Sequence, residues 1–380
     1  MKKKIIAFTF AWLISLLFCV NASAQVDVSA QSAVLMCANN GKVLFNKNAT
    51  KQLSMASTTK IMTSLIALEA AMPETEITVT HEMVAVEGTS MGLVEGDSVS
   101  LRELVYGMLL QSGNDAANTV AYVVGGSPEN FAEMMNNRAA QIGMVNTNFV
   151  TASGLDHENH YSTAYDMALL ACESIRNPEF AAICSMKSAR LTYGNPPYAR
   201  TLTNHNRLLW RYEDTVGIKT GFTKKSGRCL VSAAERDGIL LVAVTLNAPN
   251  DWDDHVSMFE YGFSKCEGVS VGVNAGEMRV AGGEKTSVPL KLAYEPVWLK
   301  GEKCEFRLLV RQFDYAPISS GEIVGKALLI SDGKVREEVP VLTDGSVAVK
   351  HAPPKAEEKG LFSEIFQMFK DIFRGELIGR

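Results

Sequence analysis

The chain has 380 residues, of which 47% are hydrophobic, and a formal net charge of −5 from 42 acidic and 37 basic side chains. This length and composition are sufficient for more than one folded domain. Beyond its first four residues the chain has no run of basic residues, so it lacks the concentrated positive charge that nucleic-acid binding needs, and we expect no nucleic-acid partner.

The first 24 residues have the three parts of a secretory signal peptide. Lysines at 2–4 precede an apolar run over 5–20, and Ala-Ser-Ala at 22–24 is a typical cleavage signal. The apolar run is shorter than the ~20 residues that a helix needs to cross a bilayer, which disfavours the alternative of an uncleaved anchor. We therefore expect a signal peptide over 1–24, export, and a mature chain that begins near Gln25.

Residues 25–267 are predicted to form one mixed domain. Apolar runs at 32–37 and 42–45 flank an Asn-Asn-Gly turn, a pattern typical of a β-hairpin. Strands at both ends with helices between them favour an α+β domain, in which an antiparallel sheet is packed with helices. The predicted helices cover 61–71, 101–110, 116–124, 130–142, 163–175 and 256–263, and the later predicted strands cover 215–223, 228–235 and 239–246.

Beyond residue 267 the composition changes in two steps. Short alternating runs separated by glycine turns, from 268 to 350, are typical of a small all-β sandwich domain. Residues 351–360 contain two prolines and mixed charges and are predicted to be a linker. In 361–380, bulky apolar residues recur at helical spacing, which predicts a C-terminal amphipathic helix that lies on a membrane surface. Docking of this helix on a partner or on the β domain is the alternative.

A serine and a lysine three positions apart precede the first long helix. Residues at this spacing share one face of a helix, so the Ser57 hydroxyl and the Lys60 amine can form a hydrogen bond. A serine hydroxyl becomes a good nucleophile when a base takes its proton, and lysine can be that base when burial and a nearby cation lower its pKa. We predict Ser57 as nucleophile and Lys60 as base. Taken alone, the pair also fits a helix-capping serine beside a surface lysine.

Ser112 and Asn114 flank a glycine between two predicted helices, where a loop can direct both side chains into a cleft. In such a cleft Ser112 is suited to relay a proton to a leaving group. Asn114 is suited to hydrogen-bond Lys60 and a substrate amide. By itself the Ser-Gly-Asn sequence is also a common turn.

Lys219, Thr220 and Gly221 lie within a predicted strand. Lys219 would supply the cation that keeps Lys60 neutral, and Thr220 would bind a substrate carboxylate. Gly221 has no side chain, so a peptide could pair with this strand as an additional strand. The alternative is a strand end with a glycine bulge. Together, the three motifs predict a serine acyl-transfer enzyme that uses lysines instead of histidine.

With these motifs the chain resembles the low-molecular-weight penicillin-binding proteins, specifically the D-alanyl-D-alanine carboxypeptidases. The resemblance implies a penicillin-binding or β-lactamase-like fold, an acyl-enzyme on Ser57, and an oxyanion hole from the backbone N–H groups of Ser57 and Phe222. It also implies that the enzyme acts on peptidoglycan stem peptides at the outer face of the cytoplasmic membrane and binds β-lactam antibiotics. The likeness extends over nearly all of the mature chain and includes residues 56–63, 112–117, 152–155 and 217–223.

One segment departs from that family. Some members place an arginine after the strand that follows the third motif, where it holds the terminal carboxylate of the substrate. The corresponding segment here, 246–251, contains no arginine. Carboxylate binding then depends on Thr220 and Lys219, or on a distant side chain.

Two other functions stay open from the sequence. A class A β-lactamase carries a Glu-x-x-x-Asn element for deacylation, and Glu173 and Asn177 have that spacing. They end a predicted helix, however, and the β domain and terminal helix do not fit that class. A non-catalytic penicillin-sensing or wall-binding module would keep the fold without turnover, which the intact Ser57, Lys60 and Lys219 argue against.

No metal and no other cofactor is expected. The six cysteines after residue 24 show no Cys-x-x-Cys spacing. His157 and His160 resemble a metal pair but lack a third ligand at a fitting spacing, so we expect both in a loop near the rim of the cleft. His205 is expected in a polar loop before the third motif.

Overall fold

The computed structural model describes residues 26–70, 75–266, 268–270, 275–294, 296–299, 303–331, 333–350, 365–366 and 368–370. The chain divides into two compact units, the first comprising Met1–Val271 and Pro296–Lys303, and the second comprising Gly272–Glu295 and Cys304–Arg380. The predicted signal peptide and linker lie outside the described residues, as does most of the predicted C-terminal helix.

Both units contain β-strands. In chain order the strands are β1 (Ser32–Cys37), β2 (Lys42–Lys47), β3 (Glu76–Thr78), β4 (Ser98–Ser100), β5 (Ser188–Gly194), β6 (Pro197–Thr203), β7 (Thr215–Thr223), β8 (Gly227–Arg236), β9 (Ile239–Leu246), β10 (Gly268–Ser270), β11 (Glu277–Ala281), β12 (Ser287–Leu292), β13 (Val297–Leu299), β14 (Glu305–Val310), β15 (Phe313–Tyr315), β16 (Ile323–Ser331) and β17 (Lys334–Thr343).

Helices pack around the main sheet of the first unit. In chain order they are α1 (Lys60–Glu69), α2 (His81–Val84), α3 (Leu101–Leu109), α4 (Asn114–Gly125), α5 (Pro128–Ile142), α6 (Ala164–Ile175), α7 (Pro178–Cys184), α8 (Leu208–Arg211) and α9 (Asp251–Lys265).

The main sheet of the first unit has five antiparallel strands in the order β2-β1-β9-β8-β7. Strand β1 is buried along its whole length, and its side chains alternate between two cores. Val34 and Met36 pack with the helices around α1, whereas Leu35 and Cys37 pack with α9 on the other face. A strand that is buried on both faces is apolar at consecutive positions, which is why this segment is a continuous hydrophobic run. The predicted α+β layers are confirmed.

Helix α1 is the centre of the helical layer. Its residues 60–67 are all buried, because other helices surround it. At the start of α6, Thr163 Oγ1 accepts the Asp166 N–H at 3.0 Å and so caps the helix. The Asp166 carboxylate accepts the Asn146 N–H and the Thr147 hydroxyl, which ties the preceding loop to the first turn of this helix.

A hairpin and an early helix start are among the features of the first unit that were not predicted. Strands β5 and β6 pair as a hairpin, although their polar residues gave no strand signal. Helix α9 begins at Asp251, five residues earlier than its apolar spacing indicates. Three aspartates in its first turn, at 251, 253 and 254, favour this start because negative charge stabilises a helix N-terminus.

The second unit contains a six-stranded sheet in the order β14-β16-β17-β12-β11-β15. Most pairs are antiparallel, but β11 and β15 pair in parallel. Its core includes Met278, Val288, Leu329 and Val339. Residues 365–366 and 368–370 are helical. Among the described residues we find no helix with the length and apolar character needed to cross a bilayer.

Candidate active site

Ser57 lies in the 3-10 turn Ala56–Thr59, directly before α1, rather than in the helix itself. The Thr58 hydroxyl stabilises this turn by donating a hydrogen bond to the Met55 carbonyl at 2.6 Å. Lys60 is the first residue of α1, and its Nζ lies 3.0 Å from Ser57 Oγ. The sequence spacing therefore brings the hydroxyl and the amine together, as predicted, while Ser57 stays partly accessible.

The Lys60 amine is fully buried and contacts three oxygen atoms. Besides Ser57 Oγ, these are Asn114 Oδ1 at 2.6 Å and the Ser153 carbonyl at 2.7 Å. A neutral amine has two N–H bonds and one lone pair. The carbonyl-type oxygens can only accept, so they take the two N–H bonds, and the lone pair remains for the Ser57 hydroxyl.

Electrostatics favour that neutral form of Lys60. Burial, followed by the positive charge of Lys219, holds the pKa of Lys60 well below its usual range, and Asp115 only partly opposes this. Removing an ammonium group from water without a paired anion is costly, so burial favours the form of the amine that has lost its proton. Lys60 is thereby prepared to accept the Ser57 proton.

Lys219 occupies the buried side of β7. Its Nζ lies 3.0 Å from Ser112 Oγ and 2.7 Å from the Thr220 carbonyl, and burial lowers the pKa of Lys219 to about 7. Ser112 has φ +61°, a left-handed conformation that costs a non-glycine residue about 1 kcal/mol. The loop thus holds the Ser112 hydroxyl against Lys219 at some cost in backbone strain.

Asn114 is the first residue of α4, and both the oxygen and the nitrogen of its side-chain amide form hydrogen bonds. Its Oδ1 accepts from Lys60, and its Nδ2 donates to the Glu87 carbonyl at 2.7 Å. The neighbouring Asp115, which was not predicted as a site residue, accepts the N–H groups of Met91 and Leu93. Asp115 therefore ties the loop at 89–93 to the start of this helix.

Gly221 brings β7 directly against the turn that holds Ser57. A Cβ at this position would lie 3.0 Å from each of the Met55 carbonyl oxygen, the Ser57 nitrogen and the Thr58 nitrogen. Only a residue without a side chain permits this approach. The N–H groups of Ser57 and Phe222 consequently belong to two backbone segments in close contact, as an oxyanion hole requires.

A cavity of about 360 Å³ opens in front of these groups. It is lined by the predicted residues Ser57, Ser112, Thr220, Gly221 and Phe222. Lys60, Asn114 and Lys219 are buried behind it. The lining also includes polar residues that sequence reasoning did not assign to the site, namely Thr89, His205, Arg207, Arg228, Asp251 and Trp252.

His160 lies in a loop, as expected, but it is buried rather than placed at a rim. His157 is exposed in the loop, but His160 is only 2% exposed. Its Nε2 lies 2.8 Å from Thr59 Oγ1, and its Nδ1 accepts the Val150 N–H at 2.9 Å. The loop lies so close to the turn that a Cβ on Gly154 would meet the Ala56 carbonyl oxygen at 2.0 Å. A histidine flanked by polar residues gave no sequence signal of this burial.

The Glu-x-x-x-Asn spacing noted above has a structural role. Glu173 accepts a hydrogen bond from Arg138 at 2.7 Å, and Asn177 caps α7 through the N–H groups of Glu179 and Phe180. Neither Glu173 nor Asn177 lines the cavity. Across the described parts of the chain, no group of three or more histidine, cysteine or acidic residues could hold a metal ion.

Comparison with known proteins agrees with this geometry. The family model for D-alanyl-D-alanine carboxypeptidases (peptidase S11) matches residues 19–250. D-alanyl-D-alanine carboxypeptidase DacF of Bacillus subtilis is 31% identical over 336 residues, covering 84% of this chain and 86% of that protein. DacC of Escherichia coli is 33% identical over 366 residues, covering 90% of this chain and 87% of that protein.

Solved structures give the same result. Penicillin binding protein 5 from Haemophilus influenzae aligns with a TM-score of 0.62 and 30% identity, covering 86% of this chain and 99% of that one. The Streptomyces K15 DD-transpeptidase aligns with a TM-score of 0.60 and 29% identity, covering 63% of this chain and 98% of that one. The chain thus belongs to the family of D-alanyl-D-alanine carboxypeptidases, which are serine-type hydrolases.

Proposed function

We propose that this carboxypeptidase removes the terminal D-alanine from peptidoglycan pentapeptide stems through an acyl-enzyme on Ser57. The observation that carries the proposal is the contact of one buried amine, whose pKa is lowered, with the Ser57 hydroxyl and with two oxygen acceptors. That arrangement leaves the Lys60 lone pair free to take the hydroxyl proton.

In the acylation step, Ser57 Oγ attacks the carbonyl carbon of the penultimate D-alanine while its proton moves to Lys60 Nζ. The developing oxyanion accepts the N–H groups of Ser57 and Phe222. Positioned acid–base groups typically contribute 10²- to 10⁴-fold to such a step, and one oxyanion-hole donor about 10²- to 10³-fold. Asn114 holds the amine in place through its Oδ1.

The C–N bond then breaks as the leaving D-alanine nitrogen receives the proton that Lys60 took from Ser57, which leaves Lys60 neutral again. Ser112, in hydrogen-bond contact with Lys219, is the relay for that proton. Water next attacks the ester carbonyl and gives a proton to the neutral Lys60, and as the bond from the acyl carbon to Ser57 Oγ breaks, Lys60 passes this proton to Oγ and the Ser57 hydroxyl is regenerated. In the net reaction, one water molecule hydrolyses one peptide bond and gives a shortened stem and free D-alanine.

Substrate binding uses the edge of β7. The stem peptide pairs with the backbone around Gly221, and Thr220 binds the terminal carboxylate. Penicillins carry a strained amide and a carboxylate at a similar spacing, so they acylate Ser57 as well. Because Glu173 is held by Arg138 away from the cavity, we expect the penicilloyl enzyme to persist, unlike that of a β-lactamase.

A labelled penicillin tests the nucleophile directly. We expect one stable adduct on the purified mature protein, no adduct on Ser57→Ala, and release of D-alanine from diacetyl-L-Lys-D-Ala-D-Ala by the wild type alone. An adduct that survives the substitution rejects the assignment of Ser57. Adduct formation without D-alanine release would instead support the penicillin-sensing alternative.

We further propose export to the outer face of the cytoplasmic membrane, with the C-terminal segment as an in-plane anchor. Phe366 and Phe369 are 67% and 54% exposed, which supports an apolar face free to enter a lipid surface. In flotation with phosphatidylethanolamine–phosphatidylglycerol vesicles, the mature chain should bind. The double change Phe366→Asp and Phe369→Asp should abolish binding, whereas Lys370→Ala should not. Equal binding by all three proteins would contradict the anchor.

A further inference from the structure

The proposed reaction, on which this inference rests, requires a group that recognises the terminal carboxylate of the substrate. The segment 246–251 contains no arginine. Lys219 is directed elsewhere, since its amine contacts Ser112 and the Thr220 carbonyl on the buried side of β7. Thr220 alone offers one neutral hydroxyl. A cation at the open side of the cavity is therefore still needed.

The strand register identifies a candidate. Strands β7 and β8 are antiparallel, and Phe222 pairs directly with Arg228. Directly opposed residues project to the same side of a sheet, and residues two apart on one strand share that side. Arg228 therefore projects on the side of Phe222 and Thr220, and a residue diagonal to it on the next strand is typically about 7–8 Å away. Both Thr220 and Arg228 line the cavity that contains Ser57.

The Arg228 side chain is held in place by α9. Its Nε and Nη2 donate to Asp251 Oδ1 at 3.0 and 2.7 Å, and its guanidinium carbon lies 5.3 Å from the ring centroid of Trp252. Asp251 is buried, whereas the Arg228 side chain is 41% exposed. Nη1 has no hydrogen-bond acceptor among the described residues, so it presents two N–H donors to the cavity. A guanidinium held in this orientation can donate to a carboxylate with less loss of conformational freedom than a mobile lysine.

Arg207 is the other arginine that lines this cavity. Its side chain is exposed and forms no ion pair within the parts of the chain that the structure describes. An unrestrained arginine loses more conformational entropy when it binds a ligand than one already held by a carboxylate and an aromatic ring. The geometry thus favours Arg228, and Arg207 becomes the competing outcome of the test.

We propose that Arg228, oriented by Asp251 and Trp252, binds the terminal carboxylate of the D-alanyl-D-alanine substrate together with Thr220. Strand β8 thereby supplies the charge that some relatives obtain from an arginine beyond the following strand. Arg228 determines specificity for a free C-terminus, because a peptide that continues past the second D-alanine carries no carboxylate at this point.

The test compares two substrates that differ only in this group, diacetyl-L-Lys-D-Ala-D-Ala and its C-terminal amide, with release of D-alanine or D-alaninamide measured by mass spectrometry. For Arg228→Gln we expect kcat/KM on the acid to fall about 10- to 100-fold, the range for a lost charge-assisted hydrogen bond, mainly through KM. Activity on the amide should change less than threefold, so the preference for the acid is lost. Arg228→Lys should be intermediate.

Arg211→Gln is the matched control. Arg211 also pairs with an aspartate of α9, Asp253 at 2.8 Å, but does not line the cavity, so its preference for the acid should equal that of the wild type. A retained preference in Arg228→Gln, an equal loss on both substrates, or loss of the preference in Arg207→Gln alone would each overturn the proposal. Labelling of Ser57 by a saturating penicillin in Arg228→Gln shows that the variant folds. Absence of labelling in the wild type would instead refute the proposed function.

Discussion

His160 Nε2 lies 2.8 Å from Thr59 Oγ1, which joins a loop to the turn that carries the nucleophile. Because Nδ1 accepts the Val150 N–H, the proton is assigned to Nε2, which donates to Thr59. The same loop offers the Ser153 carbonyl to Lys60. Burial lowers the pKa of His160 to about 4, so the ring is neutral at physiological pH. The His160 imidazole thus helps to fix the position of the Ser153 carbonyl, which accepts from Lys60, relative to the turn that carries Ser57.

Replacing His160 by Phe should misplace the amine without removing any reacting group. The change leaves the Val150 N–H without its acceptor and removes the donor to the Thr59 hydroxyl, which keeps its bond to the Ala56 carbonyl, and we expect it to cost about 1–3 kcal/mol of stability. Acylation by penicillin should slow about 10-fold. Thermal unfolding and the acylation rate constant measure both effects, with the exposed His157→Phe as control. Unchanged acylation in His160→Phe would show that the bond is structural only.

The two buried lysines should give acylation a bell-shaped pH profile. The rate falls in acid as Lys60 takes up a proton, and it falls in alkali as Lys219, whose pKa burial lowers to about 7, loses its proton. The charge of Lys219 is one cause of the lowered pKa of Lys60. Lys219→Met should therefore shift the acid limb to higher pH as well as slow the reaction.

The acylation rate constant is measured with a penicillin from pH 4 to 10. A shift of the acid limb in Lys219→Met separates an electrostatic role of Lys219 from a purely structural one. Lys224→Met removes an exposed lysine just beyond the same strand and should leave the limb in place. An acid limb at the wild-type position in Lys219→Met would contradict the coupling.

Gly221→Ala should damage catalysis more than folding. Its added Cβ would press on three backbone atoms of the Ser57 turn at 3.0 Å, so the turn must move and the oxyanion hole widens. We expect acylation to fall about 100-fold, as for loss of one oxyanion donor. Gly154→Ala, which combines φ +85° with a contact of 2.0 Å, should mainly destabilise the fold. Equal Tm losses for the two variants would disprove this distinction.

His255 should make the first unit sensitive to acid. It is fully buried between Ser232 and Thr245, and burial lowers its pKa to about 3. In the unfolded chain this histidine takes up a proton near pH 6.5, whereas in the folded chain it stays neutral. Its protonation therefore does not reduce the free energy of unfolding above that pH. Between pH 6.5 and 3, the free energy of unfolding declines by about 1.4 kcal/mol for each pH unit. In urea unfolding from pH 6 to 4, the free energy of unfolding of His255→Gln should fall less steeply with pH than that of the wild type. Identical slopes for the two proteins would refute this.

The sequence predicted the parts of the site that depend on side-chain type and short spacing. Ser57 and Lys60 share a face because they are three residues apart, and the strand around Lys219 is apolar enough to be recognised. The Ser153 carbonyl could not be predicted, because every residue has one. Nor could the role of Arg228, which depends on how β7 and β8 are paired.

The same limit applies to the fold. The first hairpin and α1 have strong local patterns and were predicted, whereas the β5–β6 hairpin is polar and was not. The parallel pairing of β11 with β15 joins strands that are far apart in the chain, and no local pattern encodes such pairing. Local periodicity was therefore sufficient to predict many helices and strands, whereas the pairing of distant strands could be seen only in the structure.

Strand β7 is the last strand of its sheet, and an exposed last strand ordinarily invites self-association between copies of a protein. Here the turn that holds Ser57 lies against the face of the strand at Gly221, beside the stretch of edge that lines the cavity. A peptide that pairs with this edge is therefore brought next to the nucleophile. The unpaired backbone that is a liability in most sheets is thus the part of the fold on which the proposed substrate site is built.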